Sequence, residues 1–107
     1  TENSAYYDKS IYKVAKDTVI YQGVFDSHGK ELIPIQEQTI EEHIHNGDYT
    51  QNYFYVTRNG KKGVYSYDGN EIIECEYYDI YDENSTNRKK STYNFITFNT
   101  LQDYLDY

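Results

Sequence analysis

Short runs of strand-forming residues, cut by glycine turns, make up most of this chain. Residues 52–58 (Asn-Tyr-Phe-Tyr-Val-Thr-Arg) and 61–67 (Lys-Lys-Gly-Val-Tyr-Ser-Tyr) flank Asn59-Gly60, and Asp68-Gly69 then leads into a further run from residue 72 to 82. Glycine enters the left-handed backbone region without a Cβ clash, and Asn and Asp tolerate that region better than most residues. Such dipeptides between β-prone runs signal hairpins, so this stretch predicts antiparallel strands joined by tight turns. A two-residue loop at Asn59-Gly60 would place Val56 and Val64 on opposite faces. A three-residue loop over 58–60 would put Phe54, Val56, Lys62 and Val64 on one face and Tyr53, Tyr55, Tyr65 and Tyr67 on the other. The sequence favours the second register, because it separates apolar from amphipathic side chains.

Upstream, residues 11–15 and 18–25 read as strands without a glycine turn between them. Ser27-His28-Gly29 reads as a turn before a strand over 30–35. Pro34 lacks an N–H, so that strand should end there or lie on an edge. Residues 39–44 fit either one helical turn or an edge strand, and 45–48 read as a loop. Residues 83–92 form a polar run expected to be a mobile loop, 93–98 the last clear strand, and 100–107 either a strand or a short helix. Residues 1–9 lack clear periodicity.

The pattern recurs at an offset of 40. Gly23-Val24-Phe25 falls on Gly63-Val64-Tyr65, Gly29 on Gly69, Glu31 on Glu71, Leu32-Ile33 on Ile72-Ile73 and Ile40 on Ile80. One step further, Tyr53 falls on Tyr93, Thr57 on Thr97, Asn59 on Asn99 and Tyr67 on Tyr107. A fixed period of this size marks a repeat architecture in which each unit buries a face against the next. Asp103 stands where the other copies have Gly63 and Gly23, so the third copy reads as a half-unit. The expectation is a single all-β domain over residues 1–107. It would consist of antiparallel hairpin repeats, two and a half units of about 40 residues, forming a sandwich or open barrel.

Residues 23–34 and 59–73 carry a resemblance. They are similar to the WG, or KWG, repeat family of bacterial β-rich repeats, built around Asn-Gly-Lys-Trp-Gly followed by Asp-Gly-Lys-Glu-Ile-Ile-Pro. The resemblance covers residues 13–82 well and 93–107 weakly. It departs at the Trp position, held by Gln22 in one copy and Lys62 in the other, and the chain has no Trp. It implies a β-repeat module that mediates protein contacts and brings no catalytic residues with it.

Composition changes this picture in two ways. First, 18 acidic residues against 10 basic ones leave a net charge of −8. That argues against nucleic-acid and anionic-membrane partners, which select basic footprints, and favours a basic protein. Second, fifteen tyrosines suit both strands and recognition surfaces. The two features coincide in Glu74, Glu76, Tyr77, Tyr78, Asp79, Tyr81, Asp82 and Glu83, a stretch without a base, and again at Asp103 and Asp106 beside Tyr104 and Tyr107. This is the candidate partner-binding surface, since tyrosine supplies contact area and carboxylates pair with Lys or Arg. The bases Arg58, Lys61, Lys62, Arg88, Lys89 and Lys90 fall elsewhere in the sequence. The competing reading is a solvated strand face that keeps an edge from aggregating.

Candidate chemistry is thin. His43 and His45 stand at i and i+2, with only His28 and Cys75 as further soft ligands. A zinc site needs three or four supported ligands, so solvated loop histidines are the better reading, and no metal or cofactor is expected. Cys75 lies between Glu74 and Glu76, whose charges disfavour a thiolate, and reads as a buried structural residue. A single cysteine excludes an internal disulfide. No apolar run approaches a membrane span. Thr1 is small enough for a preceding initiator Met to be trimmed, which fits a complete cytoplasmic chain and equally a mature secreted one. Size, acidity and the lack of catalytic groups lead to the expectation of a non-enzymatic inhibitor or immunity protein that neutralises a basic toxin enzyme such as a nuclease. The alternative is a structural or scaffold repeat module.

Overall fold

In the computed structural model, residues 9–44, 52–82 and 95–107 are described. The expectations for residues 1–8, 45–51 and 83–94, including His45, Glu83 and the loop run, lie outside the described residues. Among the described residues, nine strands occur in the order β1 (Ser10–Lys16), β2 (Val19–Phe25), β3 (Glu31–Glu37), β4 (Thr39–His43), β5 (Tyr53–Arg58), β6 (Lys61–Ser66), β7 (Glu71–Tyr77), β8 (Asp79–Asp82) and β9 (Phe95–Phe98), followed by helix α1 (Leu101–Leu105). They form three antiparallel sheets, β1-β2-β3, β4-β5-β6-β7 and β8-β9, and among the described residues no barrel closes. Pro34 lies within β3 but on the edge of its sheet, where its missing N–H costs no ladder bond. The ambiguous 39–44 stretch is the edge strand β4, and 100–107 contains the helix.

The β5–β6 register corrects the sequence reading. Asn59 (φ 52°) and Gly60 (φ 76°) form a two-residue left-handed turn, with Arg58 opposite Lys61, Val56 opposite Gly63 and Tyr55 opposite Val64. Phe54 and Val56 therefore face one side and Val64 the other. The expectation failed because it assumed one apolar face, whereas this sheet is buried on both. Val24 and Ile33 of the first sheet pack with Ile40, Phe54, Val56 and Tyr67, with Tyr65 partly buried at the margin. On the other face Tyr53 and Val64 pack with Ile80 of the third sheet, flanked by Tyr55, Ile73, Tyr77 and Phe95. Tyrosines thus serve both faces: Tyr53 and Tyr55 on one, Tyr65 and Tyr67 on the other.

The residue-72-to-82 run is also not one strand. The chain breaks at Tyr78, so that β7 completes the four-stranded sheet and β8 starts the next. Between β1 and β2 the turn is Asp17-Thr18, with φ of 52° and 69°. This is the same left-handed turn as Asn59-Gly60, made without glycine and with a β-branched residue in a region it disfavours.

Corresponding geometry recurs forty residues apart. Val24 pairs Ile33 and Phe25 pairs Glu31; Val64 pairs Ile73 and Tyr65 pairs Glu71. Each ladder is bulged next to a glycine. At Gly23 an added Cβ would lie 2.7 Å from Ile35 Cγ1 and 2.8 Å from Ile33 O. At Gly63 it would lie 2.5 Å from Ile73 O and 2.9 Å from Cys75 Sγ. The bulged strand crosses where the glycine leaves space, which lets Cys75 reach the first core cluster although Ile73 and Tyr77 serve the second.

Candidate docking surface

The acidic, tyrosine-rich stretch 74–82 does not form one face. Strand alternation turns Glu74 and Glu76 to solvent and Cys75 and Tyr77 inward. Glu74 and Glu76 are close enough that Glu76, by hydrogen bond and by charge, raises the Glu74 carboxyl above its usual pKa. They share an open groove with Arg58, Lys61 and Glu71. Arg58 and Lys61, remote in sequence, therefore line the same groove as these acids, which corrects the expected segregation for these two bases; Arg88, Lys89 and Lys90 lie outside the described residues.

Asp79 is likewise engaged. Its Oδ1 accepts from Lys62 Nζ at 3.0 Å and from the Ile80 amide at 2.8 Å. Lys62 thus pairs with Asp79. Asp82 is 3% exposed, and its Oδ2 accepts the Tyr53 hydroxyl at 3.0 Å. Burial, with the adjoining Tyr55 and Asp82, pushes the Tyr53 phenol far above its ordinary pKa, so it stays a proton donor. Asp82 thus belongs to the interior beneath the surface, while Tyr78 and Tyr81 remain exposed.

The acids that the fold gathers with exposed aromatic area are those of the helix. Thr100 caps it, its Oγ1 accepting the Asp103 amide at 3.1 Å, and Gln102 donates to Asp106 Oδ1 at 2.9 Å. Tyr104 and Tyr107 set their rings edge-on to Phe98 of β9, at 5.5 and 5.3 Å. Tyr107 also lies 6.1 Å from Tyr81 of β8. Leu101, Tyr104, Leu105 and Tyr107 are nevertheless half or more exposed, or nearly so. The result is an apolar patch bordered by Asp103 and Asp106. The i, i+3, i+4 spacing of Leu101, Tyr104 and Leu105 signals the helix; the two leucines are exposed apolar residues that the acidic pattern missed.

Other candidates resolve as structural. His43 stacks on Tyr53 with ring centroids 5.0 Å apart and meets Tyr55 edge-on at 4.6 Å, so it is a half-buried packing residue rather than a solvated one. His28 lies exposed in the turn after β2, where its amide donates to Asp26. Cys75 is half-buried, and burial raises its thiol; Sγ lies 3.5 Å from Val56 O. The carboxylate that adds to this shift is Glu71, not the adjacent Glu74 and Glu76, whose side chains point away. Among the described residues no group of three or more His, Cys, Asp or Glu side chains is placed to hold a metal ion. No described helix is long and apolar enough to cross a membrane. No family model matches the chain, and neither a curated protein nor a solved structure matches it.

Proposed function

We propose that this chain is a non-catalytic, protein-binding module, and more sharply an inhibitor or immunity-type protein that covers a basic toxin enzyme such as a nuclease. The observation that carries the reading is the exposed patch of Tyr81, Leu101, Tyr104, Leu105 and Tyr107, rimmed by Asp103 and Asp106 on a chain of net charge −8. Exposed aromatic and leucine side chains supply area to desolvate. The acids and the overall field steer a basic partner onto it and set its orientation. A nuclease active site must attract phosphate, so an acidic plug is its complement. Such a protector acts where the toxin would act, which places it in the cytoplasm.

Co-expression with the product of the neighbouring gene, capture at low salt and elution with rising salt test the reading. A stoichiometric basic partner released by salt, and lost in the variant Asp103→Lys/Asp106→Lys with Tyr104→Ala, is the expected result. Failure to retain a partner, or retention that ignores salt, overturns it.

A second reading, a structural scaffold of the WG-repeat type, is favoured by a different observation. Beside Gly23 and Gly63 two ladder pairs coincide at an offset of 40, Val24 with Ile33 and Phe25 with Glu31 against Val64 with Ile73 and Tyr65 with Glu71. On that reading β1–β4 and β5–β8 are two units, β9 begins a third, and Gln22 and Lys62 replace the tryptophans.

A further inference from the structure

We infer that the outward face of the first sheet is a docking face for one more β-meander of this chain's own plan, joined ahead of β1 as β1–β4 is joined ahead of β5. This rests on the repeat reading of the fold and not on the inhibitor reading. Each meander has a forward and a backward face. Val24 pairs with Ile33 and, forty residues on, Val64 pairs with Ile73. Val24 and Ile33 pack forward on the second sheet; Val64 and Ile73 pack forward on Ile80 of the third. Alternation turns the residues around each glycine to the backward face.

In the second sheet the backward face carries Val56, across from Gly63, and Cys75, whose Sγ is 2.9 Å from where a Gly63 Cβ would stand. Both belong to the cluster made with Val24 and Ile33, and Val56 is fully buried. In the first sheet the same places are taken by Tyr12, across from Gly23, and Ile35, whose Cγ1 is 2.7 Å from the corresponding Gly23 position. Val14 follows Tyr12 on that face. Tyr12, Val14 and Ile35 are 53%, 51% and 43% exposed and belong to neither core cluster. What covers Val56 and Cys75 therefore defines what fits over Tyr12 and Ile35: a sheet face with Val and Ile at one cross-strand pair. The interface between the first and second sheets, continued backward by one step, supplies it, and burial of the three side chains drives the docking. A second copy of this chain has no such face free, because its own Val24, Ile33 and Val64 are fully buried.

The probe is a lengthened chain in which residues 9–48 stand twice in succession, so that a second β1–β4 unit precedes the native one at the offset of 40. The added Val24 and Ile33 then have the native Tyr12, Val14 and Ile35 to cover. Urea unfolding of this chain and of the parent is compared, each with and without Ile35→Asp. The expected result is one cooperative transition with a midpoint above the parent's. Ile35→Asp in the native unit should remove that gain. The same substitution in the added unit, or in the parent, should leave the midpoint nearly unshifted, because the side chain is exposed there. Val14→Asp, read in the same way, serves if an aspartate at 35 disturbs β3. Separate unfolding of the added unit, equal losses from the substitution in either unit, or a loss in the parent as large as in the lengthened chain overturns the inference; the last would mean that the face is already covered. Gly23→Ala against Gly63→Ala tests the repeat reading in the parent chain itself, so the docking face can fail while the repeat stands.

Discussion

The meanders β1-β2-β3 and β5-β6-β7 share a backbone plan and secure their exits by different chemistry. In the first, the Gln22 side chain accepts the Ile40 amide at 2.7 Å as the chain enters β4. Buried Gln38 ties the same junction, donating to Gln22 O at 2.7 Å and Pro34 O at 2.8 Å and accepting from Arg58 Nε at 2.7 Å. In the second, Lys62 holds Asp79, and Asp79 caps the Ile80 amide. Gln22 thus reaches from the second strand of its meander to an amide of the strand that leaves it, and Lys62 reaches from the corresponding position to the carboxylate that accepts such an amide. One solution is neutral and enclosed, the other ionic and half-exposed. The difference teaches that the sequence position fixes the geometry of the exit but not its chemistry, and each meander can be broken or converted separately.

The largest effect is expected where the two meanders are alike. Gly63→Ala drives a methyl into the Ile73 carbonyl, and Gly23→Ala into the Ile33 carbonyl and Ile35. Backbone contacts below 3 Å cannot be relieved by a rotamer change. Each substitution should cost about 3 kcal/mol in urea unfolding, the upper part of the range for overpacking. Equal losses would show that the bulge, rather than its neighbours, sets the requirement; a neutral Gly63→Ala would refute the steric account.

The exits should then separate the meanders. Gln22→Ala leaves the Ile40 amide without its acceptor in a partly buried site and should cost about 2 kcal/mol, with little dependence on salt. Lys62→Ala removes an ion pair whose side chains are 41% and 28% exposed, while Asp79 still caps Ile80. Its cost should be about 0.5 kcal/mol at low salt and smaller at high salt. Denaturation of both variants at two ionic strengths checks the ordering.

How far the sequence could be read follows from the same comparison. The strands and the Gly29, Gly60 and Gly69 turns were legible because left-handed positions select residues locally. The Asp17-Thr18 turn was not, because Thr18 has no local preference for φ of 69° and is held there by the pairing on either side. The β5–β6 register was misread because alternation identifies a face only when the other face meets water, and Tyr53 and Phe54 are both buried. The surroundings of several candidate residues were hidden from the sequence for a related reason. Asp82 reads as a surface acid until Tyr53, twenty-nine residues away, is placed beside it. The bases at Arg58 and Lys61 read as remote until β6 and β7 pair. Asp103 and Asp106 kept their exposure because a five-residue helix on a sheet end buries no whole side chain.

Thr18 offers an effect of the opposite sign. Thr18→Gly gives the first hairpin the turn residue that Gly60 gives the second, and relieves a β-branched side chain at positive φ. It should stabilise the protein by about 1 kcal/mol, since that relief exceeds the added freedom of the unfolded glycine. Gly60→Thr should destabilise by a similar amount. Thermal unfolding of the two variants and the double exchange tests whether the turns are interchangeable.

The smallest effect distinguishes the next turns by pH. Asp26 Oδ1 accepts the His28 and Lys30 amides, each at 2.9 Å; forty residues on, Ser66 Oγ accepts the Asn70 amide at 3.1 Å. The Lys30 amide bond is the main cause holding the Asp26 carboxyl below its ordinary value of 3.8; desolvation opposes it and the His28 amide adds to it. A carboxyl whose folded pKa lies below its unfolded one contributes stability above the unfolded value and loses it as pH falls through the folded value. Asp26→Ser makes the first turn resemble the second and removes that contribution without touching the core. The variant should differ from the parent near neutrality and converge on it as pH drops below 3.8, whereas Ser66→Ala should shift stability by the same amount at every pH. Urea midpoints from pH 7 downward decide the point: a Ser66→Ala offset that changes with pH, or an Asp26→Ser offset that does not, would show that the turns differ in more than the charge of one hydrogen-bond acceptor.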